Sequence, residues 1–141
     1  MATAGPEPQA LLNLTPHSVQ IYDETGSKVV LNLESRGALR VRSAPQTRRG
    51  KIGEAMVITG QRMVGLDEQS AGYKVFTENP WGSFVVSMAT AQWLVQDLPA
   101  GATFSVYAPA TGPGYDVRDA QQRIKGAMAL EAYIVNGRVV A

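Results

Sequence analysis

The sequence predicts an α+β fold: a single domain built on a mainly antiparallel, bent β-sheet of about six to nine strands, with one principal helix near residues 88–96. Three observations carry this. Asp23-Glu24-Thr25-Gly26-Ser27 is turn chemistry between two apolar runs, Asn136-Gly137 is a second hairpin signal, and only the window from Met88 to Gln96 is dominated by residues that suit a helix.

Residues 1–10 hold two prolines and small residues with little to bury, which predicts a flexible leader before a domain over 11–141. The first strand starts near Leu11 and breaks at Pro16, whose fixed φ and missing N–H exclude it from a paired central strand. A corner at Thr15–Ser18 follows and holds His17, the only histidine of the chain. Beyond it Val19, Ile21 and Tyr22 resume a strand. After the Asp23–Ser27 turn, residues 28–33 return as its hairpin partner.

Alternation in residues 38–42 turns Leu39 and Val41 inward and Arg40 and Arg42 outward. Residues 44–52, with a proline, a glycine and three cations, read as a mobile basic loop. Residues 55–59 and 61–66 read as two strands flanking a bend at Gly60, and Tyr73–Thr77 as a further short strand. Ser83–Ser87 is a buried strand, Ser87 a helix cap, and Ala102–Ala108 a strand again. Strand, helix and strand imply a crossover packed on a sheet. Residues 115–119 and 123–130 form a hairpin with its turn at 120–122. The run from Ala127 to Val135 is more apolar than a free terminal strand should be, which predicts a homo-oligomer joined by strand pairing.

Composition excludes several function classes. A chain of 141 residues without cysteine has no disulfides and no thiolate metal chemistry. Thirteen Lys and Arg residues against twelve Asp and Glu give no global reason to expect nucleic acid or an anionic membrane. No segment reaches the roughly 18 apolar residues needed to span a bilayer, and no secretion signal is present, so a cytoplasmic protein is expected. Asn13-Leu14-Thr15 spells a glycosylation sequon, which in that setting reads as coincidence. No cofactor and no metal are implied.

The order Asn13-Leu-Thr-Pro-His17, the strand ending in Tyr22, Phe84-Val-Val-Ser87 leading into a helix, the Pro-Ala-Thr-Gly-Pro loop from Pro109, Val117-Arg-Asp119 and Ile124-Lys-Gly126 resembles a group of small uncharacterised phage and actinobacterial proteins. The resemblance spans roughly residues 12–130. It implies shared architecture and a phage or bacterial context; it implies no activity. The basic stretch at 44–52 and the extended C-terminus depart from the group.

Candidate site residues sit at strand ends. His17 can donate and accept near neutral pH, as a general base or a ligand contact, or can simply fix its corner. Asp116 and Arg118 share one strand face, where a carboxylate beside a guanidinium can orient a polar ligand; Asp119 points the other way. Ion pairing with Arg123 or Lys125 is the plain alternative. The loop Ala110–Gly114 invites a phosphate cradle, but Pro113 removes a donor and no helix follows. Arg40, Arg42, Arg48, Arg49 and Lys51 form the local positive cluster without interleaved aromatics, so a nucleic-acid platform is not indicated. Trp81 and Trp93 read as core or interface anchors. The predicted ligand-binding set is Thr15, His17, Thr111, Asp116, Arg118 and Asp119, on a non-enzymatic binding protein for a small polar ligand or a phage or host protein. A self-associating assembly protein and a small hydrolase using His17 are the alternatives.

Overall fold

The computed structural model describes residues 11–140, so the leader expected at 1–10 lies outside the described residues. In chain order the elements are β1 (Leu11–Asn13), β2 (Val19–Tyr22), β3 (Val29–Leu33), β4 (Val41–Ala44), β5 (Arg48–Ile52), β6 (Ala55–Ile58), β7 (Arg62–Leu66), α1 (Tyr73–Glu78), β8 (Ser83–Val85), α2 (Met88–Gln96), β9 (Ser105–Pro109), β10 (Asp116–Arg118), β11 (Ile124–Ala127), β12 (Leu130–Val135) and β13 (Arg138–Val139). They form a five-stranded sheet in the order β1-β8-β9-β12-β13, a four-stranded sheet in the order β10-β11-β2-β3, and two ribbons, β4-β7 and β5-β6.

The mostly β, α+β character follows the expectation, but the strands are more numerous and shorter, and no one bent sheet contains them. Pairing is also mixed. β1, β8 and β9 run parallel, and β11 meets β2 in parallel. The β8–α2–β9 crossover accounts for one of these, because a helix returning the chain across a sheet brings the second strand in parallel to the first.

The core lies where α2 covers the five-stranded sheet. Phe84, Val86, Val106, Ala108, Tyr133 and Ile134 from the sheet pack with Ala91 and Leu94 of α2 and with Leu14 and Leu39. Ser87 caps α2, its hydroxyl accepting from the Thr90 N–H at 3.3 Å. The buried Thr90 hydroxyl donates to the Leu39 carbonyl at 2.9 Å, tying the start of the helix to the chain entering β4. Trp93 is half-buried and Trp81 is 71% exposed, so neither anchors this core.

Tyr73–Thr77 is helix where a strand was expected. Its Tyr, Val, Phe and Thr favour strands in isolation, yet tertiary contacts override them. Gly72 lies so close to Gly37 and Leu39 that a Cβ there would sit 2.5 Å from the Gly37 carbonyl oxygen. From that anchor the helical turn carries Phe76 into an aromatic cluster, 5.1 Å from Phe84 and 5.0 Å from Phe104 between ring centroids.

Residues 44–52 also differ from expectation. The segment is strand over Arg48–Ile52, paired antiparallel with β6 through a turn at Gly53-Glu54. The apolar run 127–135, expected to pair with a second copy, is mostly β12, held between β9 and β13 with Tyr133 and Ile134 buried. Its hydrophobicity serves the core, so it gives no reason for self-association. The Asn136-Gly137 turn does form, with φ of 50° and 79° as a type I′ hairpin needs.

Two outcomes follow from these contacts. Thr90→Val keeps the volume but orphans the Leu39 carbonyl, and should cost about 1–3 kcal/mol by chemical denaturation. In the β2–β3 turn, the Asp23 carboxylate accepts from the Thr25 hydroxyl at 2.8 Å and from the Ser27 N–H at 3.0 Å, with weaker bonds from the Thr25 and Lys28 amides, and these hold its pKa below the ordinary 3.8. A depressed carboxyl stabilises the fold above its unfolded pKa and loses that contribution as pH falls through the folded value. An NMR titration should find Asp23 titrating low, and Thr25→Ala should bring it back toward the ordinary range.

Candidate functional site

Three regions compete as the site, and their hydrogen bonds separate them. The first is the corner between β1 and β2. Asn13 is 1% exposed, and its amide uses its full bonding capacity. Nδ2 donates to the His17 and Leu33 carbonyls, both at 2.9 Å, while Oδ1 accepts from the Thr15 N–H at 3.0 Å and the Thr15 hydroxyl at 2.6 Å. Thr15 also donates to the His17 carbonyl at 2.9 Å. Thr15 and the His17 backbone are therefore parts of the corner's own bonding. The His17 ring is exposed and makes no hydrogen bond to a described residue. Among the described residues no nucleophile is hydrogen-bonded to it.

The second region is the segment from Thr111 to Asp119. Asp116 and Arg118 share a face of β10 as their spacing predicts, and they engage each other: Arg118 Nε donates to Asp116 at 2.8 Å, and Nη1 donates to the Gln122 carbonyl at 2.6 Å. Asp119 turns to Arg123 at 3.3 Å and accepts from the Gln121 and Arg123 amides, closing the β10–β11 turn. These bonds build the hairpin. Thr111 is placed differently, at the meeting of three shallow depressions of about 360, 190 and 360 Å³. Asp116 and Arg118 line one of them, and Ser18, Gln20 and Lys125 line another. Ser18, at the end of the corner, thus reaches the Thr111 segment, while Thr15, His17 and Asp119 line none of the three.

The third region has no counterpart among the predicted site residues. β4 and β7 form a ribbon whose strands continue past Pro45 and Gly60 into the β5–β6 ribbon, so residues 41–66 make one long, bent hairpin arm. The bend is bridged by Thr47 and Thr59, whose backbone and hydroxyl groups bond at 2.8 and 2.9 Å. Beyond the bend, among the described residues, β5 and β6 pair only with each other. Register places Arg48 opposite Ile58 and Lys51 opposite Met56 on one face, with Ile52, Ala55 and Val57 on the other. Ile52 is 76% exposed, Met56 62% and Ile58 49%.

No protein-family model, curated protein or solved structure matches this chain. No helix among the described residues is long and apolar enough to cross a membrane.

The corner's bonding makes a specific demand on position 13. Asn13→Asp replaces the two donors with a carboxylate facing the His17 and Leu33 carbonyls, and should destabilise the fold by about 2–4 kcal/mol at neutral pH. Arg118→Ala removes only a partly exposed ion pair and one hydrogen bond, and should cost about 0.5–1.5 kcal/mol. Urea midpoints of the two variants test this order.

Proposed function

We propose that this chain is a non-enzymatic binding and accessory protein of phage or bacterial context, a single domain that docks to a protein partner through its hairpin arm. One observation carries the reading: the arm tip presents Ile52, Met56 and Ile58 to solvent on a ribbon that pairs with no other described strand. Apolar side chains of this size raised on a two-stranded ribbon contribute little to folding, because such a ribbon has no core of its own. Their gain comes on burial against a partner. The flanking Arg48, Arg49 and Lys51 set the partner's chemistry as an apolar strip bordered by carboxylates.

A small polar ligand at Thr111, Asp116 and Arg118 is the second reading, favoured by the three depressions that meet at Thr111. There a ligand must compete with the bonds Arg118 already makes to Asp116 and Gln122.

A photoreactive amino acid at position 52 or 56 should give one discrete, competable adduct in cells expressing the chain, with none from exposed Gln121. Ile52→Asp should weaken the captured complex at least about tenfold, or 1.4 kcal/mol. No adduct above the Gln121 control would remove the arm from function, and a thermal shift with a small anion that Arg118→Ala abolishes would then favour the second reading.

A further inference from the structure

The arm and one edge of the four-stranded sheet are complementary. Residues 41–66 carry five of the thirteen Lys and Arg residues and one of the twelve Asp and Glu residues, so this stretch has a net charge of +4 and the rest of the chain −3. Within that oppositely charged remainder β3 is an edge strand, with no strand beyond it among the described residues. Its five residues, Val29-Val-Leu-Asn-Leu33, include no charge and no proline. Val29 is 39% exposed, Val30 51% and Leu31 37%. Edge strands usually carry a charge, a proline or a cover that prevents another strand from pairing. Asp23 and Glu24 lie before β3 and Glu34 directly after it.

We infer that the β5–β6 tip of one copy adds to the β3 edge of a second copy, a head-to-tail contact that rests on the reading of the arm as the docking element. The lengths agree, since β5 and β3 each have five residues, about 17 Å of strand. Strand addition supplies the main-chain bonds β3 lacks on its open side. Added edge to edge, the ribbon extends the apolar surface of Val29, Val30 and Leu31 on both faces, with Ile52 on one and Met56 and Ile58 on the other, and the arm cations face Asp23, Glu24 and Glu34. Near its far end β3 is already fixed, because the Asn13 amide occupies the Leu33 carbonyl. That bond holds the strand in place for an incoming ribbon. Each copy offers one arm and one edge, so the contact propagates into a closed ring or an open filament.

Sedimentation velocity on the full chain across the micromolar range tests the contact. The wild type should form species larger than a monomer, weakened by added salt. Ile52→Asp with Met56→Asp should abolish them, and so should Val30→Lys, each raising the dissociation constant at least tenfold. Mixed together, the two variants should form a dimer and nothing larger, because one still offers an edge and the other an arm. If circular dichroism finds the double arm variant unfolded, Arg48→Glu with Lys51→Glu takes its place. A wild type that stays monomeric, an arm variant that assembles like the wild type, or a mixture that stays monomeric would each overturn the inference. If the wild type is monomeric while position 52 still crosslinks a different protein, the docking function stands and self-assembly falls.

Discussion

The structure depends on the saturated amide of Asn13. Four hydrogen bonds converge on one buried side chain at the end of β1, and they join it to the adjoining corner at Thr15 and His17 and, twenty residues on, to the end of β3 at Leu33. The Asn13 carbonyl adds a bond from the Arg36 amide. Leu14, next in the chain, donates to Val85 and accepts from Leu39, so the five-stranded sheet is pinned to the chain that leads into the arm. Pro16 then prevents the strand from continuing, and the chain leaves one sheet for the other. A buried polar group is expensive unless every lone pair and proton is used. Here they all are, which gives the corner one arrangement.

From that corner the molecule divides by what its side chains can bury. Sheet and helix residues around Phe84, Leu94 and Ile134 reach near-complete burial, and α1 contributes Phe76 to the same core. The arm cannot follow this route. A two-stranded ribbon has no second layer, so its order comes from ladder bonds, cross-strand pairs and the tight Gly53-Glu54 turn. Beyond the bend, Ile52, Met56 and Ile58 are left largely in solvent and are surface that a partner can use.

Local patterns made much of the fold legible. The Asp23–Ser27 and Asn136-Gly137 turns, the Ser87 cap and the helix to Gln96 each depend on residues within a few positions of one another, and the period-2 reading placed Leu39 and Val41 inward with Arg40 and Arg42 outward. What escaped depends on distant partners. Arg48–Ile52 has loop composition and becomes strand because Ala55–Ile58 returns beside it. Tyr73–Glu78 becomes helix because Gly37 and two phenylalanines select that geometry. Of the predicted site, the shared face of Asp116 and Arg118 was readable from spacing, but not that each already has a partner. Asn13 resembled part of a sequon, since nothing near it in sequence reveals that its amide bonds to Leu33. The arm could have been suspected from Ile52, Met56 and Ile58 alternating beside cations in a stretch without a helical period.

The same partition separates the Asn13–His17 stretch from the arm. Of Asn13, Thr15 and His17, two contribute side chains to the corner hydrogen bonds: the Asn13 amide and the Thr15 hydroxyl. His17 contributes its carbonyl, which any residue offers, and leaves its ring in solvent. The Val117-Arg-Asp119 stretch likewise closes a hairpin through Asp119 and Arg123. A motif made of corner and turn residues specifies where strands begin and end. It places no demand on the surface elsewhere, and the 44–52 region, outside the corner and its bonds, forms a ribbon whose apolar side chains stay in solvent.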